Sequence, residues 1–94
     1  MSVTETIREK LNAAFAPDAL VVEDESAKHH GHAGALPGGE THFAVVIVSS
    51  AFEGLSRVER QRRIYDALSD ELRGRVHALS LKAQTPREAA KHSA

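Results

Sequence analysis

Histidine carries most of the chemistry open to this chain, which has six histidines and no cysteine among 94 residues. His29, His30 and His32 fall within four consecutive positions, and His77 stands far from them. A neutral imidazole is a borderline ligand that suits iron, zinc and nickel. With no cysteine, the chain offers no thiolate ligand, no thiol nucleophile and no disulfide. The clustered histidines have two competing readings. One is a solvated polar loop. The other is a histidine-only zinc or nickel site, which an H-x-x-x-H spacing on a helix would have supported and which is missing. For His77 the alternative is a strand-start residue, partly buried and hydrogen-bonded. His42, beside Phe43 at the entry of an apolar run, reads as structural. His92 lies in the tail and receives no role.

The second cluster is basic. Arg57, Arg60, Arg62 and Arg63 face a single acid, Glu59, across residues 57–63, four charges against one for a local balance of +3. Arginine at a helix N-terminus opposes the macrodipole by about 0.3 kcal/mol or more each. A sequence that accepts this cost can use the charge on phosphate or on a partner's carboxylate. The plain alternative is a solvated face, with Arg57 and Arg60 pairing to nearby acids. The net charge of −1 and an aromatic content of 4% count against a bulk nucleic-acid binder. Gly31-His32-Ala33-Gly34 spells the Gly-x-x-Gly of K-homology RNA modules, but that loop joins two helices. Here it joins two strands, so RNA binding is not expected. No Ser-His-Asp order, phosphate loop or paired carboxylates stands out. A core of this size also leaves little room for a deep cleft, and the chain reads as a non-enzyme.

These residues need elements to hold them. Ser2-Val3-Thr4-Glu5 opens a capping box, and Val3, Ile7, Leu11, Ala14 and Phe15 follow at helical spacing. The first helix spans about 3–15 and stops before Pro17. Leu20-Val21-Val22 begins a strand that ends in Glu23-Asp24-Glu25. Residues 26–39 carry Gly31, Gly34, Pro37, Gly38 and Gly39, the composition of a loop. From His42 to Val48 both parities are apolar, as expected of a central strand. Ser56-Arg57-Val58-Glu59 is a second capping box and starts a helix over about 57–73, with Gly74 as a left-handed stop. Val76 to Ala83 forms the third strand, where His77 shares the parity of Leu79 and Leu81. Thr85-Pro86-Arg87-Glu88 starts a last helix over about 86–91.

The order is helix, strand, strand, helix, strand, helix. Strands one and two pair as an antiparallel hairpin, and strands two and three are parallel across a right-handed helical crossover. The expected class is α+β, a three-stranded mixed sheet with helices packed on one face. Residues 1–94 form a single domain with frayed ends at 1–2 and 92–94. No run of about 18 apolar residues is present to span a membrane. The start lacks a secretory signal and is acidic where a presequence is Arg-rich, so the expected location is cytoplasmic.

Several stretches in this order resemble the BolA family. They are Gly39-Glu40-Thr41-His42-Phe43, Ile47-Val48-Ser49, Phe52-Glu53-Gly54-Leu55-Ser56, Arg60-Gln61-Arg62-Arg63-Ile64-Tyr65, Val76-His77-Ala78-Leu79 and Thr85-Pro86. The similarity extends over essentially the whole chain, from Ile7 to Pro86. One departure is Gln61, which stands where the family usually has the histidine of an Arg-His-Arg triplet. The resemblance implies a K-homology-like αββαβα fold and partnership with monothiol glutaredoxins. It implies a 2Fe–2S cluster shared with the glutaredoxin cysteine and its bound glutathione, and none in the isolated chain. His77 matches the family's last histidine and is the implied ligand. The second ligand comes from the loop between the first two strands, where His32 is favoured, then His29, with His30 the third candidate. The resemblance also implies an alternative, a DNA-binding transcription regulator using the helix–turn–helix-like segment 52–65. A weak homodimer and a metal-free docking module complete the partner expectations.

Overall fold

The structure, a computed structural model, describes residues 2–25, 42–74 and 76–93. The clustered histidines His29, His30 and His32 lie outside the described residues. The elements are α1 (Val3–Phe15), β1 (Ala19–Asp24), β2 (His42–Val48), a 3₁₀ turn (Ser50–Phe52), α2 (Arg57–Ala67), α3 (Ser69–Arg73), β3 (Ala78–Gln84) and α4 (Pro86–Ser93).

The sheet order is β1-β2-β3, antiparallel between β1 and β2 and parallel between β2 and β3. Register decides what each face carries. Leu20 and Val22 stand opposite Ile47 and Val45, and Phe43, Val45 and Ile47 stand opposite Leu79, Leu81 and Ala83. Because side chains alternate along a strand, this set forms one apolar face. Ile7 and Leu11 of α1, Ile64 of α2, and Leu68 and Val76 complete the core against it, together with Phe52 from the turn. Among the described residues, no helix packs on the other face. Val21 and Val46, a cross-strand pair, remain 51% and 36% exposed. The double-sided apolar pattern of β2 thus reflects its central place in the ladder, while only one of its faces is covered by helices.

All three expected caps form. The Ser2 and Ser56 hydroxyls accept from the amides of Glu5 and Glu59 at 3.1 and 3.2 Å. At α4 the box is reciprocal: Thr85 Oγ1 accepts from the Glu88 amide at 3.2 Å, and Glu88 Oε1 accepts from the Thr85 amide at 2.9 Å. Each cap satisfies amides that a helix start leaves without partners. Buried Ser49 was not anticipated. Its hydroxyl donates to the Phe15 carbonyl at 2.6 Å and accepts from the Ala51 amide at 3.0 Å, tying the end of α1 to the end of β2.

Four boundary readings change. The helix expected over 57–73 breaks at Leu68, whose backbone (φ −106°, ψ 19°) leaves the helical region while its side chain stays in the core. Gly74 has φ −104° and is not left-handed; its amide closes the turn onto the Glu71 carbonyl instead. The last helix runs on to Ser93. β3 begins at Ala78, because Val76 is drawn into the core before the ladder starts. His77 therefore precedes the strand, and the parity shared with Leu79 and Leu81 does not apply to it.

Candidate functional site

His77 sits just ahead of β3 and is exposed. His42 opens β2 and is half-buried. Parallel pairing sets His42 opposite Ala78, the residue after His77. The two imidazole centroids are consequently 6.5 Å apart, with the rings inclined at 45°. Read from its neighbours in sequence, His42 is structural, and nothing in that reading places it beside His77. The available signal was register: a histidine at the first residue of one parallel strand and another just before its neighbour. Recognising it required knowing how the two strands align.

The donor set on this surface is small. Among the described residues, no group of three or more His, Asp or Glu side chains could hold a metal ion. Two neighbouring imidazoles fit a metal group whose remaining ligands come from elsewhere. They do not fit a self-sufficient metal centre, since structural zinc takes four protein ligands.

The arginines divide. Arg60 points inward, with its side chain only 12% exposed. Its Nη1 donates to Glu88 Oε1 at 2.6 Å and to the Ala83 carbonyl at 3.1 Å. Nη2 donates to Glu88 Oε2 at 3.2 Å, and Nε donates to the Leu55 carbonyl at 3.0 Å. This bidentate, charge-assisted geometry joins α2, β3 and α4. Arg57 lines a shallow groove of about 660 Å³ with Arg60, Leu81, Lys82, Gln84 and Glu88. Arg62 and Arg63 are exposed, and helical geometry of 3.6 residues per turn turns them away from the Ile64 core face. The four arginines therefore do not converge on one patch. Gln61, which replaces the usual histidine, donates to the Tyr65 hydroxyl at 2.9 Å on the surface of α2.

A second polar tie lies across the molecule. Lys10 Nζ donates to both carboxylate oxygens of Glu71 at 2.9 Å, with Asp70 at 3.7 Å, and Arg73 donates to Asp70 at 2.7 Å. The hydrogen bond to Glu71 raises the Lys10 pKa, reinforced by the charges of Glu71 and Asp70. The hydrogen bond from Arg73, and then the Lys10 charge, lower that of Asp70. This group fastens α1 to α3 at the surface.

Comparison with known proteins matches the family model of BolA-like proteins over residues 11–88. The chain is 54% identical over 86 residues to SufE-like protein 1, chloroplastic/mitochondrial, of Arabidopsis thaliana, covering 87% of this chain and 23% of that protein. It is 50% identical over 84 residues to BolA-like protein 1 of Homo sapiens, covering 89% of this chain and 58% of that one. It is 41% identical over 88 residues to the DNA-binding transcriptional regulator BolA of Haemophilus influenzae, covering 94% and 82%. The chain thus spans only part of the first two relatives. Among solved structures, the BolA domain of SufE1 from Arabidopsis thaliana superposes with a TM-score of 0.83 at 51% identity, covering 94% of this chain and 96% of that one. With a family match across most of its length and an α+β sheet that superposes on a solved family member, the chain belongs to the BolA-like family.

Proposed function

We propose that this chain is a non-enzymatic adaptor that lends imidazole ligands to a 2Fe–2S cluster held jointly with a monothiol glutaredoxin. The observation carrying the reading is the exposed His77 at the head of β3, in a chain with no cysteine. Such a surface supplies nitrogen donors and leaves the thiolate positions to a partner, here the glutaredoxin cysteine and its glutathione. His32 or His29 is the proposed loop contribution. Imidazole in place of thiolate lowers the negative charge on a cluster and raises its reduction potential, as in Rieske centres. The adaptor would therefore change the electronic properties of a cluster that the partner otherwise holds through sulfur alone.

The test is an anaerobic mixture with a monothiol glutaredoxin carrying its cluster, followed by visible absorption and circular dichroism. A mixture spectrum that differs from the sum of its parts, and loses that difference in His77→Ala, is the expected outcome. Spectra that simply add would end the proposal.

A second reading, DNA binding, is favoured by the outward Arg62 and Arg63 and by the name of the Haemophilus influenzae relative. Binding through these side chains would weaken steeply with salt as phosphate counterions are released. Arg62→Glu with Arg63→Glu should abolish a duplex shift. A shift insensitive to both salt and charge reversal would remove this reading.

A further inference from the structure

We infer that the outer edge of β3 is a docking site for an extended acidic peptide, which adds to the sheet as a fourth strand. The inference involves neither His77 nor the loop histidines and goes beyond the cluster reading. It begins with the sheet order β1-β2-β3, which leaves β3 with a neighbour on one side only among the described residues. The Gln84 carbonyl accepts from the Ser49 amide at the end of β2. Backbone direction alternates along a strand, so Ala78, Ser80, Lys82 and Gln84 turn their backbone groups toward β2. Leu79, Leu81 and Ala83 turn theirs outward, and Arg60 Nη1 meets the Ala83 carbonyl from that side. Among the described residues, nothing pairs with the outward N–H and C=O groups of Leu79 and Leu81. An edge of this kind is a template for another strand.

Space and charge select the occupant. The groove of about 660 Å³ shares Arg57, Leu81 and Ala83 with a second one of about 110 Å³, to which Gln61, Tyr65 and Leu79 also contribute. Together they follow the β3 edge beside α2. Arg57 and Lys82 are exposed, and neither forms an ion pair among the described residues. The acid in the groove, Glu88, is held by Arg60. Arg57 comes from α2, on the helix-covered side of the sheet, whereas Lys82 belongs by parity to the other face. Successive side chains of an added strand also point to opposite faces. Two adjacent acidic residues in it therefore reach one cation each. A phosphodiester chain would meet the charges but not the edge, because it has no N–H to donate to the Leu79 and Leu81 carbonyls.

The test titrates the full nitrogen-15-labelled chain with the capped peptide Thr-Val-Asp-Glu-Val-Thr at low salt and reads amide hydrogen exchange by NMR. The amides of Leu79, Leu81 and Ala83 are expected to exchange fast in the free chain and to slow together on binding. Those of Ser80 and Lys82 should be slow throughout, because the ladder already holds them. Arg57→Glu with Lys82→Glu should weaken binding about tenfold, as two exposed ion pairs are lost, and should turn the preference toward Thr-Val-Lys-Lys-Val-Thr. Both positions are exposed, and Arg57 is the first residue of α2, where an acid suits the helix dipole, so this variant should keep the fold. Absence of binding, binding without slowed exchange at the three outward amides, or equal affinity for Thr-Val-Asn-Gln-Val-Thr would overturn the inference. Tighter binding of an oligothymidylate in the same groove would overturn it in favour of nucleic acid. Edge amides already protected in the free chain, with protection lost on dilution, would overturn it in favour of a second copy. Additive spectra in the glutaredoxin mixture would end the adaptor reading and leave this docking site standing.

Discussion

The two ends of β3 carry polar clusters of opposite character. At its head, exposed His77 stands beside half-buried His42, their ring centroids 6.5 Å apart. At its tail, about 20 Å away by strand rise, Arg60 is held by two backbone carbonyls and both oxygens of Glu88. Sequence alone presents both as equally suggestive: histidines in one case, a basic run in the other. Saturation separates them. A guanidinium with four hydrogen bonds to groups within the chain maintains the packing of α2, β3 and α4. The exposed imidazole of His77 at the head faces solvent instead.

Substitutions can break that contrast in order of size. The largest effect should come from Phe43→Ala, which removes a buried ring directly after His42 in β2. It should cost about 3–5 kcal/mol by denaturant unfolding and disorganise the head of the sheet with it. Arg60→Ala should cost about 2 kcal/mol by leaving Glu88 and two carbonyls short of their donors, a fall in Tm on the order of 10 °C. The cluster-dependent spectra with glutaredoxin should persist below that new Tm. If Arg60→Ala proved neutral in stability, the closed character of the tail end would be wrong.

His77→Ala should give the mirror image. Its effect on stability should stay within about 0.5 kcal/mol, as for other exposed positions, while the mixture spectrum changes. A strongly destabilised His77→Ala would make the ring a packing element and remove the contrast from the other side. The smallest effect concerns pH. Asp70 has a pKa lowered from its ordinary 3.8 by Arg73 and then Lys10. Its contribution is fully present above 3.8, the unfolded value, and is lost as pH falls through the lower folded value. Asp70→Asn should therefore flatten the acid limb of a stability-versus-pH curve below about 4 and leave the neutral region nearly unchanged. An unaltered acid limb would show that the Lys10–Asp70–Arg73 group is too solvated to matter.

Much of the fold was legible because its signals are local. Capping boxes at Ser2, Ser56 and Thr85, Pro17 as a stop, and apolar spacing along α1 and α2 each depend on residues within a few positions. Sheet order and pairing followed from one central apolar strand and one crossover. What local pattern could not supply were the places where the core overrides it. Leu68 interrupts a helix whose apolar stripe runs on. Val76 is pulled inward before the ladder begins, so parity misplaces His77. Gly74 ends its turn without the left-handed conformation that glycine usually provides.

Residue type by itself determined the chemical vocabulary of this protein: imidazole without thiolate, arginine without a net positive charge, and a largely aliphatic core, with Phe43 and Phe52 its buried rings, matched to a single small sheet. Tertiary structure alone decided which of those groups meet. Arg60 and Glu88 are 28 positions apart, and His42 and His77 are 35 positions apart. No local pattern encodes either meeting: one depends on the alignment of β3 against β2, the other on how α2 docks beside β3 and α4. Ladder register is fixed by burying one whole face of the sheet, a choice made by the entire core at once.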